Sequence, residues 1–190
     1  MKHLALYLQG TTYRFAQHTP GADECGEVLQ DQLDAFLQEH HPRRVILILA
    51  KSRVFFRRMS FPFSDARKIS LVLPGEMEDL MPISPDNLVY TWYFTRRQKS
   101  ASEIMVAAIP RDLYREWQER GRKFGFRLSL SIDALFIHAL FRRRISIPNY
   151  FFIHADSGSL LLNIVEDHIL VNCYSYVFAD AAECTRLIPI

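Results

Sequence analysis

Residues 53–94, RVFFRRMSFPFSDARKISLVLPGEMEDLMPISPDNLVYTWYF, constrain this chain more than any other stretch. Val54 to Phe61 is dense in aromatic and β-branched residues, with Arg57 and Arg58 interrupting, and reads as a strand. Pro62 has no N–H to give a ladder and ends it. Ser64 stands at the N-cap position of a following helix, with Asp65 in the first turn near the positive helix end. Ile69, Val72 and Leu73 recur at helical spacing. Pro74-Gly75 is a breaker pair and predicts that this helix stops, while Met77, Leu80 and Met81 mark one apolar face of a second helix. Pro82 and Pro85 close that segment, and Leu88 to Phe94 is again strand. Glu76, Glu78 and Asp79 form an acidic cluster, read here as a solvated helix face, because no ligand from another element converges on it as a metal site requires.

The remaining elements follow from local pattern. His3 to Leu8 and Thr11 to Gln17 are two short strands joined at Gln9-Gly10, a β-hairpin in which Gly10 can take positive φ. Thr19 to Asp23 reads as a loop, and Glu24 to His40 as one amphipathic helix with Leu29, Leu33, Phe36 and Leu37 on one side. Val45 to Ala50 is a continuous apolar run of strand length, the pattern of a strand buried on both faces. Ile104 to Ile109 is a second such run. Pro110 suits a helix start and Gly125 a helix stop, which brackets a helix over Asp112 to Phe124. Phe126 to Ile132 alternates apolar and polar residues, a half-exposed strand. Asp133 caps a helix from Ala134 to about Arg143 that is apolar nearly all round and is expected to be buried between two subdomains, with His138 as a packed core histidine. Tyr150 to Ala155, Ser159 to Glu166 and His168 to Val177 form a β-meander, and Ala181 to Leu187 starts a helix.

Composition narrows the function classes. A net charge of +2 over 190 residues is too small a surplus to argue for nucleic acid, and the pairs Arg57-Arg58 and Arg96-Arg97 and the triplet Arg142-Arg143-Arg144 lie on different elements. Cys25, Cys173 and Cys184 are too few and too widely spaced for a disulfide framework or a zinc site, so a reducing compartment is the default. The first residues, MKHLALYLQGTTYRF, lack a signal-peptide apolar core, and no window approaches a membrane span, which predicts a cytoplasmic chain. There is no G-x-S-x-G elbow and no G-x-x-x-x-G-K-[ST] loop. His154 and Asp156 make an H-x-D pair without a third ligand, so the sequence offers neither catalytic residues nor a metal site.

The run FPFSDARKISLVLPGEMEDLMPISPDNLVYTW resembles a segment of the PilM/GspL family of type IV pilus and type II secretion assembly proteins. There a strand ends in Pro, a short helix follows, then an acidic E-x-E-D-x-x-P segment and a strand; here that segment holds Glu76, Glu78, Asp79 and Pro82. Residues 106–141 are similar in order as well: strand, helix, Gly, strand and a D-A-L helix. The resemblance implies an α/β, actin-like (ribonuclease H-like) fold, a mixed sheet flanked by helices. Residues 1–144 would form the first subdomain, with an inserted segment around 53–97, and 145–190 the start of a second. It covers almost all of this chain but only half to two-thirds of a typical relative, so the second subdomain is expected to be truncated, with an open sheet edge near 170–177 that needs cover.

In that fold the turn of the first hairpin cradles phosphate and carries D-x-G-x-x. The matching run here is Tyr7-Leu8-Gln9-Gly10-Thr11-Thr12, with Tyr7 at the Asp position and Gln9 at the first Gly position. A neutral phenol cannot organise a nucleotide's metal ion as that Asp does. A second D-x-G stands at Asp156-Ser157-Gly158. Gly10, Thr11, Thr12, Asp156 and Gly158 are therefore implied to be the remains of two phosphate loops, with no cofactor expected. The function implied is a non-catalytic cytoplasmic adaptor held at the inner membrane through its partners. These would be a PilN- or GspM-like membrane protein, a GspE-like motor ATPase and a further copy of the chain. Relatives take an extended peptide or a membrane partner's tail in a groove beside the first subdomain, but no short motif marks groove residues here. The alternative within the fold is a nucleotide-binding actin-like ATPase, which would need a metal site, phosphate cradles and a group that positions water.

Overall fold

The structure is a computed structural model and describes residues 3–19, 21–81, 83–156 and 159–177. Its centre is a five-stranded mixed sheet. Strands β1 (His3–Gln9), β2 (Thr12–Thr19) and β3 (Ala22–Leu29) form an antiparallel meander. β4 (Arg44–Leu49) runs parallel to β1, and β8 (Arg127–Ile132) parallel to β4, giving the order β3-β2-β1-β4-β8. Leu4 and Leu6 of β1 pair with Val45 and Leu47 of β4, and alternation carries the two rows on to Leu8 and Leu49, all buried. Helices α1 (Leu33–His40) and α3 (Arg111–Phe124) cover that face through Leu33, Leu37 and Trp117. Trp117 packs edge-on against Tyr13, with ring centroids 5.8 Å apart. Asp34 of α1 accepts from Arg120 (2.9 Å) and Lys123 (2.8 Å) of α3, and the hydrogen bonds from Lys123 and then Arg120 hold its carboxyl below the usual range. Gly125 ends α3 in the left-handed region at φ 74°, as its position in the sequence predicts.

β3 replaces most of the expected 24–40 helix, of which only Leu33–His40 is α-helical. The apolar spacing that suggests a helix begins at Leu29, whereas residues 22–28 gain more by pairing with the exposed edge of β2 along their whole length. Gly26 fits that pairing. It sits opposite Phe15, whose ring lies over it so closely that a Cβ on Gly26 would be 2.9 Å from Phe15 Cε1. The same ring packs on Phe36 of α1 at 4.7 Å, tying strand and helix together.

Between β4 and α3 the chain builds a second, three-stranded antiparallel sheet from β5 (Phe55–Phe61), β6 (Leu88–Arg97) and β7 (Ser102–Pro110), in the order β5-β7-β6. The segment read from the sequence as 53–97 lies inside this unit, which β7 carries on to residue 110. One helix, α2 (Ala66–Glu78), packs on it and runs straight through Pro74-Gly75. The expectation of two helices is corrected by packing. Ile69, Leu73 and Met77, spaced i, i+4, i+8, are all fully buried in a core of their own with Met59, Phe61, Leu88 and Ile104. An internal Pro costs about 3 kcal/mol, whereas burying three such side chains contributes about 1.5–3 kcal/mol each. The cap also differs: Asp65, not Ser64, is the N-cap, its Oδ1 accepting from Arg67 N (2.8 Å) and Lys68 N (3.1 Å). The Ser64 hydroxyl instead donates to the Lys99 carbonyl at 3.4 Å.

The third sheet is the expected meander of β9 (Tyr150–Asp156), β10 (Ser159–Glu166) and β11 (Ile169–Val177), with β10 central. Asp167 and His168 both take positive φ in its second turn, which matches the twist of the flanking strands. Leu161, Val165, Leu170 and Cys173 join the main core, and Tyr93 of β6 donates its hydroxyl to the Leu170 carbonyl at 2.8 Å. The expected helix from Ala181 lies outside the described residues. Helix α4 (Asp133–Arg142) links the first sheet to the third but is not buried all round. Ala134 and His138 pack inward, while Phe136 and Leu140 open onto a cleft and Phe141, its ring 5.1 Å from Phe152, stays partly exposed.

Two glycines test this architecture with opposite signs. Gly75 is helical with open space around its missing Cβ, so Gly75→Ala should raise stability by about 0.5–1 kcal/mol in urea unfolding. Gly26→Ala forces the Phe15 ring aside and should lower it by about 1–3 kcal/mol in the same experiment.

Candidate functional site

In a sheet with parallel strands, ligands collect beyond the strands' carboxyl ends. Here β4 ends at Leu49 and is followed by Ala50, Lys51 and Ser52, and β8 ends at Ile132 and is followed by Asp133. These residues meet the third sheet across a cleft of ≈ 380 Å³. Tyr7 pairs in register with both Arg14 and Ile48, so the three share the sheet face that forms the cleft floor. Asp133 Oδ1 accepts from Lys51 N at 3.0 Å and Ala134 N at 2.7 Å, fastening the loop after β4 to the start of α4. Burial raises its carboxyl above the ordinary range, partly offset by those two backbone bonds. His154 is the other titratable group on the cleft's far side, and Phe136, Leu140, Leu160 and Leu161 make most of the wall apolar. No group of three His, Cys, Asp or Glu that could hold a metal ion occurs among the described residues.

Of the residues implied as phosphate loops, those of the first hairpin do not line this cleft, whereas Ala155 and Ser159, which flank the second loop, do. Gly10 and Thr11 form the two-residue turn of the first hairpin, with Gly10 at φ 63°, and Thr12 opens β2. The Thr11 carbonyl accepts from Gln30 N at 3.0 Å, which ties the turn to the end of β3. None of the three lines the cleft. Asp156 closes β9, and Gly158 lies outside the described residues.

A second concavity comes from the meeting of two sheets. β8 is the last strand of the five-stranded sheet and β6 the last of the inserted one, so each presents an edge with no strand beyond it. They flank a groove of ≈ 200 Å³. Consecutive residues of both strands line it, Val89, Tyr90 and Thr91 on β6 and Leu130, Ser131 and Ile132 on β8, with Leu49, Ile109 and Leu135 at its base. None of its lining residues is charged. Sequence reading identifies both strands but not the groove, because neither edge status nor the meeting of residues 90 and 130 leaves a local signal. The half-exposed alternation of 126–132 is the nearest hint.

No protein-family model and no curated protein matches this sequence. Solved structures do match its fold. The cytoplasmic domain of EpsL, an inner-membrane component of the type II secretion system of Vibrio cholerae, superposes with a TM-score of 0.67 at 14% identity, over 93% of this chain and 71% of that one. The PilM–PilN type IV pilus biogenesis complex gives a TM-score of 0.71 at 14% identity, over 98% of this chain and 64% of the other. A Bacteroides thetaiotaomicron protein of unknown function, described as having an actin-like ATPase fold, gives 0.61 at 11% identity, over 98% and 74%. The chain thus has the actin-like fold found in EpsL and PilM, and spans between 64% and 74% of the length of these structures.

Proposed function

We propose that this protein is a non-catalytic docking scaffold of an inner-membrane type IV pilus or type II secretion platform. In this reading it takes an extended segment of a PilN-like membrane partner in the groove between β6 and β8 and connects that partner to the motor ATPase. The observation that carries the reading is the groove itself: an uncharged, apolar slot between two unpaired strand edges. An added strand would find backbone hydrogen-bonding groups on either side and apolar pockets for its alternate side chains. The likeness to a pilus assembly complex and to a secretion-system inner-membrane component supports the choice of system. The interlobe cleft supports the non-catalytic part. Tyr7 lines it at the position that the family resemblance gives to an Asp, and one oxygen of Asp133 is already committed to two backbone amides.

Thr91 and Ser131 both line the groove and lie outside the hydrophobic core, so Thr91→Arg with Ser131→Arg obstructs it with little risk to folding. Co-purified with a PilN-like partner in detergent, the wild-type chain should retain it, and the double variant should bind it at least about tenfold more weakly, a loss of about 1.4 kcal/mol. Equal retention by the double variant would remove the groove from the proposal. Calorimetric titration with ATP and magnesium addresses the cleft separately: no turnover is expected, and hydrolysis by the purified chain would replace the scaffold reading with an ATPase.

A further inference from the structure

Acids stabilise the positive N-terminal end of an α-helix and bases its negative C-terminal end. Among the described residues, α1, α3 and α4 follow that order. α1 has Asp34 in its first turn and His40 in its last, α3 has Asp112 and then Arg122 and Lys123, and α4 has Asp133 and then Arg142. α2 reverses it. Its first turn carries Arg67 and Lys68, its last turn Glu76 and Glu78, and its C-cap is Asp79. Each of these charges works against its own helix. None of the five side chains makes an ion pair among the described residues. The one acid at the basic end, Asp65, is occupied as the N-cap by the Arg67 and Lys68 amides, and Arg97 of β6 adds a further positive charge there. The turn at Pro85–Asn87, which also packs on α2, brings Asp86 and the Arg111 bonded to its carbonyl, two charges that offset each other.

These charges share the outward face of α2. Ile69, Leu73 and Met77 point into the core of the inserted sheet, so at about 3.6 residues per turn the opposite face holds Arg67, Lys68, Leu71, Gly75 and Glu78. Leu71 is 82% exposed, more than any other large apolar residue among the described residues. Gly75, one turn on, has open space where a Cβ would stand. A knob thus sits beside a notch, between a basic end and an acidic end.

The pattern is antisymmetric about the level of Leu73. A two-fold axis there, perpendicular to the helix, exchanges Leu71 with Gly75, Lys68 with Glu78 and Arg67 with Asp79. An antiparallel second copy therefore seats each Leu71 over the other's Gly75 and sets both basic pairs against acidic pairs. It also puts Arg67 and Lys68 beside the neighbouring helix's negative end, and Glu78 and Asp79 beside its positive end, which is the order each helix lacks by itself. A polyanion would meet the acids as well as the bases, and a purely apolar segment would meet four charges around a single leucine.

We propose that the outward face of α2 binds the same face of a second copy of this chain, antiparallel and two-fold symmetric. The contact is separate from the β6–β8 groove and does not rest on what that groove binds. Two helices of 13 residues each form a small contact. It falls well under the roughly 1,200 Å² of total buried surface at which stable interfaces begin, so the pair is weak in solution, with a Kd on the order of 100 µM. Copies held in one assembly reach that local concentration.

Sedimentation velocity of the full chain over a concentration series tests this. The wild type is expected to dimerise, and less so as salt is raised. Arg67→Glu with Lys68→Glu makes both ends of the face acidic, and Glu78→Lys with Asp79→Lys makes both basic. Each double variant suits its own helix dipole better, so its melting temperature should hold or rise while its self-association falls at least about tenfold. Mixed in equal amounts, the two variants should associate again at wild-type strength or better, because every exchanged pair is then opposite in sign. Leu71→Ser should weaken the wild-type dimer at an unchanged melting temperature, whereas Phe151→Ser, at another exposed apolar position, should not. A wild type that stays monomeric into the millimolar range at low salt, double variants that dimerise like the wild type, or a mixture no stronger than either variant alone would each overturn the proposal. Equal loss in Phe151→Ser would overturn it as well, by moving the contact to the third sheet.

Discussion

Strand β4 holds the molecule together. It hydrogen-bonds in parallel to β1 on one side and β8 on the other, and Val45, Leu47 and Leu49 fill the layer beneath α1 and α3. Parallel strands need crossover connections, and here the connection from β4 to β8 carries the inserted sheet before α3 completes it. Both concavities arise from that arrangement. The loop leaving β4 forms one rim of the interlobe cleft, and the inserted sheet, returning along the same side, brings β6 up to β8. Both concavities thus depend on how one strand of the central sheet is connected to the next.

The two concavities differ in chemistry. The cleft has Arg14, Lys51, Asp133 and His154 around an apolar wall, with Asp133 fixed to the backbone on both flanks. The groove has no charge and two open strand edges. A buried charge without a partner costs several kcal/mol, so the uncharged groove is a poor environment for a charged side chain.

Much of the fold is legible from short-range signals. The hairpin at Gly10, the buried runs of β4 and β7, and the ends of α3 at Pro110 and Gly125 depend on residues within a turn or two of each other. The resemblance carried by 61–92 and 106–141 pointed to the actin-like fold that the solved structures share. What was not legible depends on distant partners. β3 is a strand because β2 has an edge to satisfy, and α2 crosses Pro74 because Met77 has a core to enter. The outward side of α4 is apolar without being buried, which composition alone cannot distinguish from a core helix. The groove was invisible for the same reason, since it exists only where the edges of two sheets meet.

The Tyr93 hydroxyl is the link whose placement reaches furthest. It sits on β6, two positions beyond Thr91 on the groove wall, and bonds to the Leu170 carbonyl of β11, whose later residues Ser175 and Val177 border the interlobe cleft. Burial raises its pKa, so it remains a neutral donor across the physiological range. This bond, together with the packing of Val89 and Leu170 in the same core, fastens the strand that lines the groove to the strand whose far end borders the cleft.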